Sequence, residues 1–154
     1  MRKCFFFFLM CGVFCIFSLS TIAAQSNEIM DQLLEQEEAS YGLSAYMVLT
    51  AVGDLPEEAS AQDAVDAIQD RDWGIDLQSA DEAITLGEYS YLLMKALNMK
   101  GGIMYTIFPC PRYAARELVF LDYVTGNSAA GRILSGSEVI RILGRALEQQ
   151  GGEA

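Results

Sequence analysis

Hydrophobic side chains recur three and four positions apart along most of the chain, and this spacing predicts α-helices. The first predicted helix covers 28–38, with Asn27 as its N-cap. The second is short and strongly apolar, over 43–52. The third begins beside Ser60, which is spaced to form a capping box with Asp63. The first part of the exported chain is therefore expected to contain about three helices.

Two later stretches, 84–102 and 134–152, match each other without a gap at a distance of 50 residues. Each stretch predicts one helix that has an apolar face, and each helix is expected to end at a Gly-Gly pair. A fixed period of this size is typical of small helical units that stack on one another. The expected fold class is therefore all-α, a small helical-repeat domain with two helix pairs after the N-terminal helices.

Matching residues at the start of the two stretches form capping boxes. Thr85 is followed by Glu88, and Ser135 by Glu138. In such a box the hydroxyl and the carboxylate accept hydrogen bonds from backbone N–H groups that the first helical turn leaves unpaired. The two glutamates are also the acids that one would otherwise nominate for catalysis. Their matched positions favour a structural role as helix caps.

The segment that joins the two stretches is the most apolar and aromatic part of the chain beyond its N-terminus. Over 103–108 it has a β-like composition but no pairing partner, so we expect an extended linker or a helical turn. Pro111 suits the first position of a further helix over 112–124, which Gly126 would end.

Two interpretations of this joining segment remain open. In the first, four of its residues are core wedges between stacked helices: Ile103, Tyr105, Ile107 and Phe108. In the second, the segment forms a groove in which a partner packs against Tyr105 and Tyr113, with Arg112 and Arg116 at the rim. Cys110 is the only cysteine beyond residue 24. It is either a buried, inert thiol or a site for a disulfide with another chain.

The first residues have the order of a secretory signal peptide over 1–24. A basic start precedes an uncharged apolar run and a small-residue exit at Ala23 and Ala24. We therefore expect an exported protein of the periplasm or cell envelope, with a single helical domain over 25–154. Retention of the segment as a membrane anchor, or lipidation of one of its cysteines, are the alternatives.

Composition narrows the possible chemistry. The chain has no histidine, which excludes Ser-His and Cys-His pairs and every histidine-based zinc site. It contains neither a GxxxxGK[ST] phosphate loop nor a GxSxG elbow. We therefore expect a non-catalytic protein with no cofactor and no metal. A small hydrolase that uses two carboxylates is the alternative enzymatic interpretation.

Charge is distributed unevenly along the chain. Residues 25–94 contain 16 acids and one base, whereas 95–154 contain five acids and seven bases. Like charges repel nucleic acid and anionic lipid from the acidic half, so we expect no nucleic-acid partner. Contact with a membrane is expected only through an uncleaved N-terminal segment.

The residues from Ile84 to Leu97 resemble the core of S-layer homology (SLH) repeats, in which a helix begins with Ile-Thr-Arg-Ala-Glu and continues with Leu-Leu and Ala-Leu pairs. The aromatic helix predicted over 112–124 stands where that family has the helix preceding such a core. On this resemblance the SLH-like units cover about 70–102 and 111–152. The segment 84–126 is also similar to small exported spirochaete proteins of unassigned activity.

The SLH resemblance implies non-covalent attachment to cell-wall polymer through grooves between repeats. In that family the motif arginine contacts the anionic sugar, but here Leu86 and Gly136 take its place. Neither can form a bidentate contact with a carboxylate or phosphate. Two repeats are visible, where the family usually has three. The leading expectation is therefore an envelope-associated interaction or scaffold protein with an envelope protein as its partner, and weak polymer attachment is the alternative.

Overall fold

The structure, a computed structural model, describes residues 22–76 and 78–152 of the 154-residue chain. Within these ranges the protein has seven helices and no β-strand, which confirms the all-α prediction. The predicted signal peptide over 1–24 lies outside the described residues, except for its last three, which begin the first helix. None of the described helices is both long enough and apolar enough to cross a membrane. The helices are α1 (Ile22–Leu34), α2 (Tyr41–Ala51), α3 (Ala61–Gln69), α4 (Leu86–Ala96), α5 (Ile103–Ile107), α6 (Pro111–Phe120) and α7 (Gly136–Gly152).

α1 is displaced from the predicted helix over 28–38, and the prediction is wrong at both ends. It begins before Asn27, which therefore lies inside the helix and is not its N-cap. It ends at Leu34 because the polar groups of the next turn are used elsewhere. The Gln36 side-chain oxygen accepts a hydrogen bond from the Ser40 N–H at 2.8 Å, and the Gln36 carbonyl oxygen accepts one from the start of α7.

The Gly-Gly pairs do not end the repeated helices, so that prediction is also wrong. α4 stops at Ala96, and Asn98 takes a left-handed conformation with a φ of 49°. The Met99 N–H then bonds the Met94 carbonyl oxygen at 2.9 Å, as in a Schellman motif. At the end of the second repeat, α7 continues through Gly152. An asparagine thus takes the position expected of a glycine, because it tolerates positive φ.

The joining segment contains a helical turn, α5, and not an extended linker. The next helix, α6, has Pro111 in its first turn, where the missing N–H costs nothing. It ends at Phe120 and does not reach 124, because Asp122 takes a φ of 60° and the Tyr123 N–H bonds the Leu118 carbonyl oxygen at 2.9 Å.

Three backbone segments meet in the molecule and form a closed ring of hydrogen bonds. The Ala39 N–H donates to the Leu134 carbonyl oxygen at 2.7 Å, the Ile84 N–H to that of Ala39 at 2.9 Å, and the Leu134 N–H to that of Ile84 at 3.1 Å. All three residues are fully buried, so these backbone groups depend on one another for their partners. Each lies two residues before the start of α2, α4 or α7.

The same segments satisfy the first N–H groups of these three helices. An α-helix leaves the N–H groups of its first turn without partners inside the helix. Here the backbone N–H of the first residue in each of α2, α4 and α7 donates to a carbonyl oxygen. That oxygen belongs to the segment that precedes another of these three helices. The pairs are Tyr41 with Glu82 (2.7 Å), Leu86 with Arg132 (2.8 Å) and Gly136 with Gln36 (3.0 Å). The three helix starts are therefore held together in a cycle.

Ser40 has the same position relative to this ring as Thr85 and Ser135. The ring therefore joins three similar helix starts, whereas the match between 84–102 and 134–152 in the sequence indicates only two. The first start is hidden in the sequence because Leu43 stands where the other two have glutamate, and the Ser40 side chain makes no cap hydrogen bond. Its spacing also differs, being 45 residues from Ala39 to Ile84.

The remaining helices pack around α2, α4 and α7. α2 packs on α3, α4 on α6, and α7 on α1, so the first and last described helices are neighbours. α2 also contacts α4 and α7, and the Tyr89 hydroxyl on α4 donates to the Val139 carbonyl oxygen on α7 at 2.9 Å. The largest fully buried side chains are Tyr41, Tyr46, Tyr89, Leu33, Leu49, Ile68, Ile84, Leu86, Leu92, Leu93, Met94 and Leu118.

We predict that Gly136→Ala strongly destabilises the protein. A Cβ at this position would overlap the Leu33 carbonyl oxygen, so α1 and α7 would have to move apart. We expect a loss of about 2 kcal/mol or more in the free energy of unfolding. Gly144→Ala in the same helix is the control, since a Cβ there meets nothing within 4 Å, and it should stabilise by about 0.5–1 kcal/mol. Urea unfolding of both variants checks this, and equal effects would contradict it.

A pair of buried tyrosines gives a second prediction. Tyr89→Phe should cost about 1 kcal/mol of unfolding free energy, because it removes the buried hydrogen bond between α4 and α7. Tyr41→Phe should cost nothing or stabilise, because the buried Tyr41 hydroxyl has no hydrogen-bond partner among the described residues. Chemical denaturation of the two variants makes the comparison. A larger loss for Tyr41→Phe would show that the assignment of these hydroxyls is incorrect.

Candidate functional site

The predicted helix caps are engaged in local hydrogen bonds. One carboxylate oxygen of Glu88 accepts from the Thr85 N–H at 2.8 Å and from the Thr85 hydroxyl at 2.7 Å. Its other oxygen accepts from the side-chain amide of Gln78. The Thr85 hydroxyl oxygen in turn accepts from the Glu88 N–H at 3.4 Å, which completes the capping box. Both oxygens of this acid are therefore used within the fold.

Glu138 has a different set of partners. The Ser135 N–H donates to it at 3.2 Å, and Arg132 binds it in a bidentate pair with N–O distances of 2.9 and 2.8 Å. The hydrogen bonds from Arg132 are the main cause that lowers the pKa of the Glu138 carboxyl below its usual value. Arg132 also offers its carbonyl oxygen to the start of α4. This ion pair thus supports two helix starts.

Tyr105, predicted as a wall of the partner groove, is buried. Its ring meets that of Tyr91 edge-on, with 6.1 Å between centroids, and the Lys95 ammonium lies 5.3 Å from the Tyr91 centroid. Burial raises the pKa of Tyr105 to about 12, with smaller contributions from Tyr91 and Cys110. Tyr105 therefore attaches α5 to the core, as the core-wedge interpretation of this residue expects.

Arg112 and Arg116 lie one helical turn apart on α6 and are both exposed. Together with the loop 128–131 they line a surface groove of about 630 Å³. Neither forms an ion pair or a side-chain hydrogen bond within the described part of the chain, in contrast to Arg132. The groove can therefore offer two guanidinium groups to an anion without first breaking an internal contact.

Tyr113 is half-buried and lines a second groove, of about 330 Å³, that lies along α5 and α6. Tyr105 and Arg116 also line this groove, and its outer edge includes Phe120. The four residues predicted to line one groove thus line two neighbouring grooves. Arg112 lines the first, Tyr105 and Tyr113 line the second, and Arg116 lines both.

Cys110 precedes Pro111 at the start of α6 and is half-buried. It is the only free cysteine among the described residues, and its side chain makes no cap hydrogen bond. Its use for a disulfide with another chain stays a prediction.

The core-wedge interpretation is wrong for Ile103, Ile107 and Phe108, which are exposed, and the sequence does not indicate this exposed group. Ile107, Phe108 and Phe120 are each more than half exposed. Phe120 carries a signal in the sequence, because the buried side of α6 consists of Ala114, Ala115 and Leu118, and position 120 falls on another side of the helix. No comparable signal was available for α5, whose direction depends on the burial of Tyr105.

Two positions stand, by the SLH resemblance, where that family has its ligand-binding arginine, and both are inaccessible. Leu86 is fully buried in the core, and Gly136 is buried against the backbone of α1. Within the described ranges, no group of three or more Cys, Asp or Glu side chains is placed to hold a metal ion. Comparisons with protein-family models, with curated proteins and with solved structures give no match to this chain.

We predict that Glu138→Gln makes stability less dependent on pH. The folded-state pKa of Glu138 is lowered, so its contribution is present above the unfolded value of about 4.3 and is lost as pH falls through the folded value. The variant should be less stable than the parent at pH 7, and the difference should shrink towards pH 3. Glu148→Gln, an exposed change on the same helix, is the control. Thermal unfolding across this pH range tests it, and a constant difference would contradict it.

Proposed function

We propose that this chain is an exported, non-catalytic binding module of the cell envelope, whose binding face consists of α5, α6 and the loop 128–131. The observation that carries the proposal is the pair of exposed arginines on α6, Arg112 and Arg116, which lie in a groove on an otherwise strongly acidic protein and form no ion pair with the residues that the structure describes. The predicted signal peptide over 1–24 supports export.

The charge around this face supports a binding role. The chain has a formal net charge of −11, yet 89–117 contains four cations and a single acid, Glu117. Two of the four are the groove arginines, and the others are Lys95 and Lys100. An anionic partner is therefore attracted to this face, while the acidic remainder of the protein repels it.

The fold supplies a rigid support for the binding face. α6 packs extensively on α4, and Ala114, Ala115 and Leu118 are fully or almost fully buried in that contact region. α4 is in turn fixed at its start by the backbone ring and by the Thr85–Glu88 capping box. The arginines consequently start from a preorganised backbone, which reduces the entropy lost on binding.

Attachment to an anionic cell-wall polymer is the specific candidate that the groove favours. Arginine suits the carboxylates and phosphates of such polymers because its planar guanidinium donates paired hydrogen bonds. The three similar helix starts around the ring support an SLH-like architecture, although the arginine positions of that family are Leu86 and Gly136 here. In this proposal Arg112 and Arg116 provide the charge that those positions lack. A protein partner with an acidic surface is the other candidate for the same face.

The alternative of a carboxylate-based hydrolase receives no support from the acids that the sequence singled out. Both oxygens of Glu88 and both oxygens of Glu138 accept hydrogen bonds within the helix starts. Their contacts fit a structural role.

Co-sedimentation with purified cell-wall sacculi tests the polymer candidate. Residues 25–154, the predicted exported chain, are used. We expect retention that weakens with salt, since exposed charges are screened, and that falls about tenfold or more in Arg112→Ala/Arg116→Ala. Arg141→Ala, which removes an exposed arginine outside the groove, should have little effect.

Two other outcomes are informative. If Arg141→Ala reduces retention as much as Arg112→Ala, the attraction is non-specific and the groove has no special role. If the parent protein stays entirely in the supernatant, polymer attachment is wrong. Crosslinking to envelope proteins, with the same variants, then tests the protein partner.

A further inference from the structure

One face of α5 and α6 exposes large apolar side chains to solvent. Soluble proteins commonly expose single residues of this kind, but a cluster on neighbouring elements marks an interaction surface. The members, with their exposed fractions, are Ile103 (77%), Met104 (48%), Ile107 (58%), Phe108 (60%) and Phe120 (83%), and they are called the apolar face below.

The geometry of α5 explains why its apolar side chains point outward. Tyr105 is the one buried residue of this helix, and it is inserted beside Gly101 and Tyr91. Ile103 and Ile107 are four residues apart and therefore lie on one side of the helix. Phe108 follows the last residue of α5 and is exposed next to Ile107 in the chain. α5 packs on α6, which places Ile103 and Met104 on the same groove as Phe120.

Three cations lie near the apolar face. Lys100 precedes α5 and is exposed, while Arg116 lines the groove beside Phe120 and Arg112 lies one turn before it. Two acids are also near: Glu117, whose carboxylate lies close to the backbone at Gly102, and Asp122, which is exposed two residues after Phe120. Three cations against two acids leave this region slightly positive, although the whole chain is negative.

We propose that the apolar face docks on the surface of an anionic lipid bilayer. Ile103, Ile107, Phe108 and Phe120 insert at the boundary between headgroups and acyl chains, and the arginines contact lipid phosphates. This combination of protruding aromatic and aliphatic side chains with flanking cations is the one that interfacial elements use. The lipid is a different partner from the polymer or protein of the proposed function, so each can fail separately.

Charge argues against a second copy of the chain as the occupant. A two-fold dimer through the apolar face would bring the Arg112 and Arg116 pairs of both copies together, at a repulsive cost. Pairing with the acidic half of another copy is heterologous, so it leads to a ring or an open chain of molecules. A bilayer of anionic lipid satisfies the apolar side chains and the cations at once.

Site-specific tryptophan fluorescence on the full chain tests the proposal. In a Trp73→Phe background, Phe108→Trp and Phe120→Trp report on the apolar face, and Leu34→Trp reports on α1. Leu34 is a matched control because it is 46% exposed and lies closer along the chain to the apolar N-terminal segment. The vesicles contain phosphatidylglycerol or only phosphatidylcholine, with brominated acyl chains as quenchers, and circular dichroism verifies folding.

We expect the emission of Phe108→Trp and Phe120→Trp to shift to shorter wavelength and to be quenched on phosphatidylglycerol vesicles. Leu34→Trp should be quenched little. Each arginine removed by Arg112→Ala or Arg116→Ala should lower the ratio of docked to undocked protein about fivefold. Glu117→Gln should raise it, because it removes an acid beside the face.

Several results would overturn the proposal. Quenching of Leu34→Trp equal to that of Phe108→Trp would mean that the N-terminal segment alone holds the protein at the vesicle. Equal quenching on phosphatidylcholine would rule out the anionic-lipid requirement. A wavelength shift without vesicles, together with a dimer in light scattering, would identify a second copy as the occupant. Purified sacculi contain no bilayer, so co-sedimentation with sacculi tests the proposed function and gives no result on lipid docking.

Discussion

The closed ring of backbone hydrogen bonds between Ala39, Ile84 and Leu134 is the contact on which the rest of the structure depends. These bonds are buried, so breaking one leaves an N–H and a carbonyl oxygen with no alternative partner. The ring sets the relative positions of α2, α4 and α7 before any side chain is considered. Side-chain packing then adds the outer helices α1, α3 and α6, one to each central helix.

The ring also links distant parts of the sequence. Arg132 illustrates this, because its carbonyl oxygen accepts from the first residue of α4 while its side chain holds Glu138 in α7. Gly136 has no room for a side chain because its N–H must reach the Gln36 carbonyl oxygen beside Leu33. A local change at one helix start is therefore transmitted to another. A side chain at position 136 would therefore meet the backbone of α1, whereas one at Gly144 in the same helix would meet nothing within 4 Å.

The sequence predicted the local features of this fold better than the distant ones. The boxes at Ser60–Asp63 and Thr85–Glu88 depend on residues three positions apart, and both are present. The ring consists of bonds between backbone groups, which leave no pattern of side chains to recognise. The helix start at Ser40 therefore escaped notice, since it lacks the glutamate that marks the other two.

The candidate site shows the same division between local and distant information. Arg112 and Arg116 could be nominated because they lie at the start of the predicted helix that follows the apolar joining segment. The separation of Arg112 and Tyr105 onto two different grooves depends on which side of α5 faces the core. A helix of five residues has too few positions for the sequence to define an apolar side. The contribution of the loop 128–131 to the groove could not be predicted from its small residues, because it depends on where the ring places that loop.

A closed cycle has a consequence for how such a protein can change during evolution. Open stacks of helical repeats lengthen or shorten by whole units, because each unit contacts only its neighbours. Here α7 packs on α1, so adding or deleting a unit would open the cycle. Changes in length are confined to the connections between helix starts, which span 45 residues in one case and 50 in the next. The longer connection contains α5, so the architecture admits new surface by insertion while the number of units stays fixed.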